Sequence, residues 1–265
     1  MTPGEWLAQV RASGRIEGGD LSGWSLAGAQ LPAVAFRGVD LRGADLSGAD
    51  LREARVVDCL ASRCDFLGAD LRGARFQGTD LAQALFREAR LPGLAFPGCT
   101  LRLALFDGAD LAGADFSGQD LTQVQLTGAI LAGAAFQGAR GRFLGLAGAA
   151  ARDADFTGAD LPMARFDGAD LQGARFDRAV LARARFARAR CAGASFREAR
   201  LDCADFAYAR LEEADFTGAR LDNASLHGIL DPGARWGGAN RGAARGTDLE
   251  RAEAEAYVPP DPSRY

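Results

Sequence analysis

Histidine is nearly missing from this 265-residue chain: His227 is the only one. A Cys/His metal set is therefore excluded, and imidazole acid–base catalysis has little scope. The five cysteines are odd in number and irregularly spaced, which argues against a disulfide framework. The Cys59/Cys64 pair has no second pair to complete a metal site. No apolar run approaches the roughly 18 residues of a membrane span. The opening MTPGEWLAQVRASG lacks the basic-then-apolar layout of a signal peptide. A cytoplasmic protein is thus the default expectation. With three Trp and three Tyr, any core must be built from Ala, Leu and Phe. Lysine is absent, so all 31 basic residues are arginine, and a GC-rich genome accounts for that as well as selected chemistry does. The net charge of −4 implies neither a nucleic-acid binder nor a strongly acidic protein.

What is present is a clock of five. With i as the central apolar residue, i falls at every position ending in 1 or 6 from 21 to 236, and 37 of those 44 positions are Leu or Phe. At i−2, Ala fills 32 of the 45 positions from 19 to 239, and the phase never slips. Neither a helix nor a continuous strand keeps one face inward at a period of five. A short extended piece followed by a turn does. Positions i−2 and i point inward, i−1 points out, and i+1 with i+2 make the corner. Glycine is common at i+2, as at Gly43, Gly48 and Gly113, where a type II turn needs positive φ. Four corners close a coil of about 20 residues, and coils stacked about 4.8 Å apart make roughly 11 coils and a rod about 50 Å long. Fifteen of the 16 Phe sit at positions ending in 6, which builds two facing aromatic columns with leucine between them.

The quintets ADLSG (44–48), ADLRE (49–53), ADFSG (114–118), ADFTG (154–158 and 214–218) and ARFDG (164–168) resemble the A(D/N)LXX motif of the pentapeptide repeat family. The resemblance implies an all-β fold, a right-handed quadrilateral β-helix with short terminal helices and no enzyme site or cofactor. Family members include DNA mimics that protect gyrase, together with scaffolds and accessory factors. A capping helix is expected in 1–15, over residues 3–11 behind Thr2–Glu5. The solenoid is expected over 16–240. In 241–265 a helix behind Thr247–Glu250 would cap the last coil or form a dimer contact, before a loose tail.

Catalytic readings find no support. His227 falls at i+1, where a solvated imidazole is expected. Cys59, Cys64 and Cys99 fall at i−2 and Cys191 at i, all expected to be buried, leaving Cys203 exposed. The aspartates at i−1 recur along the whole repeat, as a structural and solvating feature would, rather than as a paired-carboxylate or Ca²⁺ site. No glycine pattern sits between a strand and a helix to cradle phosphate.

Function is then expected on the surface. At i−1, residues 20 to 120 carry ten Asp against three Arg, whereas 140 to 235 carry nine Arg against five Asp. One face should stack Asp45, Asp65, Leu85, Leu105, Gln125, Gly145, Arg165 and Arg185. Leu85, Leu103, Leu105, Ile130 and Phe143 are expected to be exposed near its middle. Alternatively, Phe143 tucks inward through a distortion at Gly141, where the pattern lacks Leu. These nine residues (Asp45, Asp65, Arg165 and Arg185 with the five apolar ones) are the candidate protein-binding set. The arginines also have a plainer reading, as neutralisers of aspartates on neighbouring coils. The first functional expectation is a non-catalytic scaffold binding another protein. The second is a DNA mimic acting on a topoisomerase, against which the low net charge and the arginine-rich half both weigh. A homodimer through the C-terminal end is compatible with either. Direct nucleic-acid binding is not expected, since no stacking aromatics interleave with the arginines.

Overall fold

A small residue at i−2 and a large apolar one at i let the backbone turn a square corner every five residues without opening the core. The computed structural model describes residues 6, 10 and 12–256 and is a four-sided all-β solenoid. Parallel partners lie 20 residues apart, from Arg15↔Ala35 to Ser225↔Arg245. The first coils pair over three residues on one side, giving β1 (Arg15–Glu17), β2 (Ala35–Arg37), β3 (Arg55–Val57) and β4 (Arg75–Gln77) in that order. The sheet stops where the next coil brings Pro97, which has no N–H to give. Beyond it, pairing on every side is confined to the residue at i−1.

The backbone hydrogen bonds explain the repeat's polar position. Leu41 (i) donates its N–H to Leu60 O at 2.6 Å on the coil above, and Leu60 (i−1) donates to Val39 O at 3.0 Å on the coil below. Gly43 (i+2) donates upward to Ser62 O, while Ala44 closes the turn on Leu41 O. Away from the β1–β4 side, only the N–H at i+1 has no main-chain acceptor, and where i−1 is aspartate its carboxylate takes it. Arg42 donates to Asp40 Oδ1 at 3.0 Å, Ser47 to Asp45 at 3.0 Å and Arg52 to Asp50 at 3.2 Å. The recurrent carboxylates are thus corner braces.

Hydrogen bonds from the Arg42, Arg52 and Arg72 side chains hold Asp40, Asp50 and Asp70 below the usual carboxylate range, and the Ser47 hydroxyl does the same for Asp45. A depressed carboxylate contributes stability above its unfolded pKa of about 3.9 and loses it as pH falls through the folded value. Denaturant midpoints should therefore hold steady from pH 7 to about 4.5 and fall below pH 4. A midpoint that rose toward pH 3 would contradict the bracing role.

Inside, the two Phe columns form as the spacing predicts. Phe156, Phe176 and Phe196 stack at 4.7 and 4.9 Å, and Phe166, Phe186 and Phe206 at 4.7 Å. The columns meet edge to face, as at Phe166–Phe176, 5.4 Å and 88°. Trp236, where the repeat decays, still ends its column: it stacks on Phe216 at 4.3 Å and carries the Arg241 guanidinium 4.4 Å above its ring. The thiols of Cys59, Cys64 and Cys191 are buried and Cys203 is exposed. Cys99, expected to be buried, is partly exposed.

At the first coil Trp6 meets Trp24 edge to face at 5.6 Å, and Val10 is buried. Trp6, Val10, Ala12 and Ser13 are helical, but most of the expected 3–11 helix and its Thr2–Glu5 box lie outside the described residues, as does the 257–265 tail. At the other end, a 3₁₀ turn (Arg241–Ala243) leads to α1 (Leu249–Ala256). Here one expectation is corrected. His227 is not solvated but buried, only 3% exposed. Its Nδ1 accepts the Asp248 N–H at 3.2 Å, so Nε2 carries the hydrogen and faces Tyr208 Oη at 2.7 Å and Glu255 at 3.3 Å. Thr247 Oγ1 accepts the Gly228 N–H at 3.2 Å. A position that faces out of the solenoid becomes interior when a helix folds across it. No helix among the described residues is long and apolar enough to cross a membrane.

Candidate functional site

A coil of 20 residues sorts the candidate residues by face. The ladder Asp45↔Asp65↔Leu85↔Leu105↔Gln125↔Gly145↔Arg165↔Arg185 is continuous. Six of the nine candidates therefore form one column on one face. Leu103 and Phe143 stand on the corner that precedes this face. Ile130 does not join them. It pairs with Asp110 and Ala150 on the next face round, although it is 47% exposed.

The exposures need one correction. Leu103 (39%) and Phe143 (45%) are exposed, but Leu85 and Leu105 are only half-exposed, because as ladder partners on adjacent coils they cover each other's flanks. Phe143 does not tuck inward. Gly141 draws its coil so close that a Cβ there would lie 2.7 Å from the Leu121 carbonyl carbon, leaving no core space for the ring. The ring stays outside with the Arg142 guanidinium 5.4 Å from its centroid. Arg142 also reaches Met163 Sδ at 3.6 Å, on the next coil of the same corner. On the face itself Gly145 leaves a hollow over which the Gln125 carboxamide folds.

That corner is unlike the other three. From Arg63 to Asn223 each twentieth residue occupies it with φ between 58° and 62°, and none is glycine. The other corners carry glycine at most of their described positions. Left-handed backbone costs an ordinary residue about 1–2 kcal/mol, a penalty glycine avoids. Nine consecutive coils accept it here, and the result is a ridge of side chains along the rod. Met163 belongs to this ridge and was not among the sequence candidates. Counting in twenties from Phe143 would have found it.

Charge runs along the face as expected, with a qualification from the ion pairs. Asp45 is bonded to the Ser47 N–H and hydroxyl, and Asp65 accepts the Leu67 N–H, so neither is neutralised by an arginine. Arg165 and Arg185 share Asp167, at 3.6 and 3.1 Å, and the trio keeps one positive charge. Elsewhere the arginines behave as the plainer reading expects: Arg152 and Arg190 both pair with Asp170, and Arg175 stands between Asp155 and Asp177. No group of His, Cys, Asp and Glu among the described residues could hold a metal ion. The buried thiols of Cys64 and Cys191 are pushed well above the usual thiol range by desolvation.

Comparison with family models finds pentapeptide repeats over residues 20–56, 64–102, 104–140, 146–173 and 164–202, and a second pentapeptide repeat model over 186–229. No curated protein matches the chain. Among solved structures, HetL from the cyanobacterium Nostoc sp., a pentapeptide repeat protein involved in heterocyst differentiation regulation, is 26% identical. That match covers 94% of this chain and 98% of HetL, with a TM-score of 0.32. Full-length QnrB1, a plasmid-mediated fluoroquinolone resistance protein, is 19% identical over 77% of this chain and 97% of its own, with a TM-score of 0.23. A pentapeptide repeat protein of the Arabidopsis thaliana thylakoid lumen is 26% identical over 43% of this chain and 70% of its own, with a TM-score of 0.19. The assignment rests on the family models, which cover well over half of the sequence. The chain belongs to the pentapeptide repeat family.

Proposed function

We propose that this protein is a non-catalytic scaffold that docks another protein along the ridge and the face beside it. The observation that carries the reading is the glycine-free stretch of that corner from Arg63 to Asn223. Its side chains add nothing to the core, their backbone is in the costly left-handed region, and Leu103 and Phe143 stand exposed on it. Leu85 and Leu105 on the adjoining face widen the apolar strip. Photo-crosslinking residues at 103 and 143, introduced in the native cell, should give adducts with a different protein. The same residue at Gln137, exposed on another face, should not. Equal adduct yields from all three positions would overturn the reading.

The DNA-mimic alternative is weaker. Duplex DNA carries about one charge per 1.7 Å, so a rod of about 50 Å would need roughly 30 negative charges. Asp40, Asp50 and Asp70, among the densest carboxylates, are each forked by an arginine at 2.5–2.6 Å. A forked carboxylate is a poor stand-in for an open phosphate.

A further inference from the structure

The ladder face is complementary to itself. We infer that two copies of this chain associate face to face and antiparallel, about a twofold axis that crosses the rod between the Leu105 and Gln125 layers. This rests on the reading of that face as a docking surface and names its first occupant.

The geometry follows from the twenty-residue coil. A twofold axis lying in the interface and perpendicular to the rod places each residue of the column opposite the one equally far on the other side of the axis. Asp45 then meets Arg185 of the second copy, and Asp65 meets Arg165. Leu85 meets the Gly145 layer, where the Gln125 carboxamide folds over the glycine, and Leu105 meets Gln125. Each end thus joins opposite charges, and the centre sets leucine against residues that carry no charge. Symmetry makes every pair occur twice.

Other registers lose this match. Shifting by one coil in one direction keeps Asp65–Arg185 but sets Asp45 against Asp205. Shifting in the other direction keeps Asp45–Arg165 and leaves Asp65 against Gly145. Parallel rods would set aspartate on aspartate and arginine on arginine. Opposite charges steer and fix one arrangement, while like charges reject the others.

Size sets the strength. Eight coils at about 4.8 Å and a side of four residues at about 3.3 Å give a face of roughly 500 Å². The pair would bury about 1,000 Å² in total, at the lower limit of specific interfaces. Asp167 between the two arginines reduces the charge at one end further. The association should therefore be reversible and weakened by salt. The same axis brings the ridges of both copies to one edge of the pair, so Leu103 and Phe143 of each line a doubled apolar strip for the other protein.

Sedimentation equilibrium on the purified full chain, from micromolar to several hundred micromolar, tests this with two charge variants. Asp45→Arg/Asp65→Arg should be monomeric on its own, and so should Arg165→Asp/Arg185→Asp, with at least a tenfold loss of affinity in each. Mixed in equal amounts they should regain the wild-type dimer mass, because each supplies the end the other lacks. Wild-type protein that stays monomeric throughout would overturn the inference. So would a dimer that neither variant disturbs, which would point to the C-terminal end, where Leu249 is 73% exposed. Circular dichroism of each variant separates lost association from lost folding. Crosslinking in the cell reads a different protein and this experiment reads the pure chain, so docking and self-association can fail independently.

Discussion

Replacing Phe176 by Ala should lower the unfolding free energy by about 3–5 kcal/mol, among the largest effects expected of a single core change in the rod. The residue is fully buried, stacked on Phe156 and Phe196 at 4.7 and 4.9 Å and approached edge-on by Phe166 and Phe186 at 5.4 and 5.6 Å. Four aromatic contacts are lost together, and the space cannot close. The coils above and below are held apart by their own ladders, and the rings on either side are fixed by their own stacks. For a chain of this size the loss corresponds to a fall in Tm of about 6–20 °C. Phe36 is the useful comparison. It is equally buried, but its neighbour up the column is Val56, so Phe36→Ala forfeits no ring stack there and should cost less. Thermal unfolding followed by circular dichroism checks both. Equal losses at 36 and 176 would show that burial alone, without column stacking, carries the core. A solenoid is also stabilised coil by coil, so a defect in its middle should broaden the transition as the halves begin to melt separately.

The fold was legible because the core and the corners obey different rules at fixed places. Leu or Phe at i, Ala at i−2 and glycine at i+2 each have one physical job, and the Phe spacing gives the coil length once four corners close it. The site was legible only in part. Knowing that 20 residues make a coil is enough to place Asp45, Asp65, Arg165 and Arg185 in one column and to separate Ile130 from Leu103 and Phe143. It does not say that Arg165 and Arg185 share Asp167, since that depends on how long side chains settle across a corner. Nor does a repeat describe what folds over it. His227 occupies an outward position in the pattern, and only the path of α1 turns that position inward. The half-burial of Leu85 and Leu105 has the same origin: an outward side chain in a ladder is covered by its own copies on the neighbouring coils.

Gly141 gives the other large expected result, and its direction runs against the repeat. The position is i, occupied by Leu or Phe in most coils, so restoring the consensus with Gly141→Leu would ordinarily be stabilising. Here it should destabilise by about 1–3 kcal/mol, the usual cost of forcing extra atoms into a packed interior. The obstruction is backbone. A Cβ at 141 would lie 2.7 Å from the Leu121 carbonyl carbon, 2.8 Å from its oxygen and 3.1 Å from the Thr122 nitrogen, and no rotamer change relieves that. Gly141→Ala should therefore already show much of the loss, with Leu adding to it. Denaturant unfolding of both variants against wild type measures this, and a rise in stability for Leu would mean that the coil relaxes outward to the spacing of its neighbours. The consequence reaches the surface. The close approach at 141 sets where the next corner stands, and the Phe143 N–H already reaches Pro162 O only at 3.3 Å. Pushing the coil outward would move Phe143 and Arg142 together, at the middle of the ridge proposed to receive the partner. Gly141→Leu should for that reason reduce crosslinking from position 143 more than from position 103, which lies two coils below.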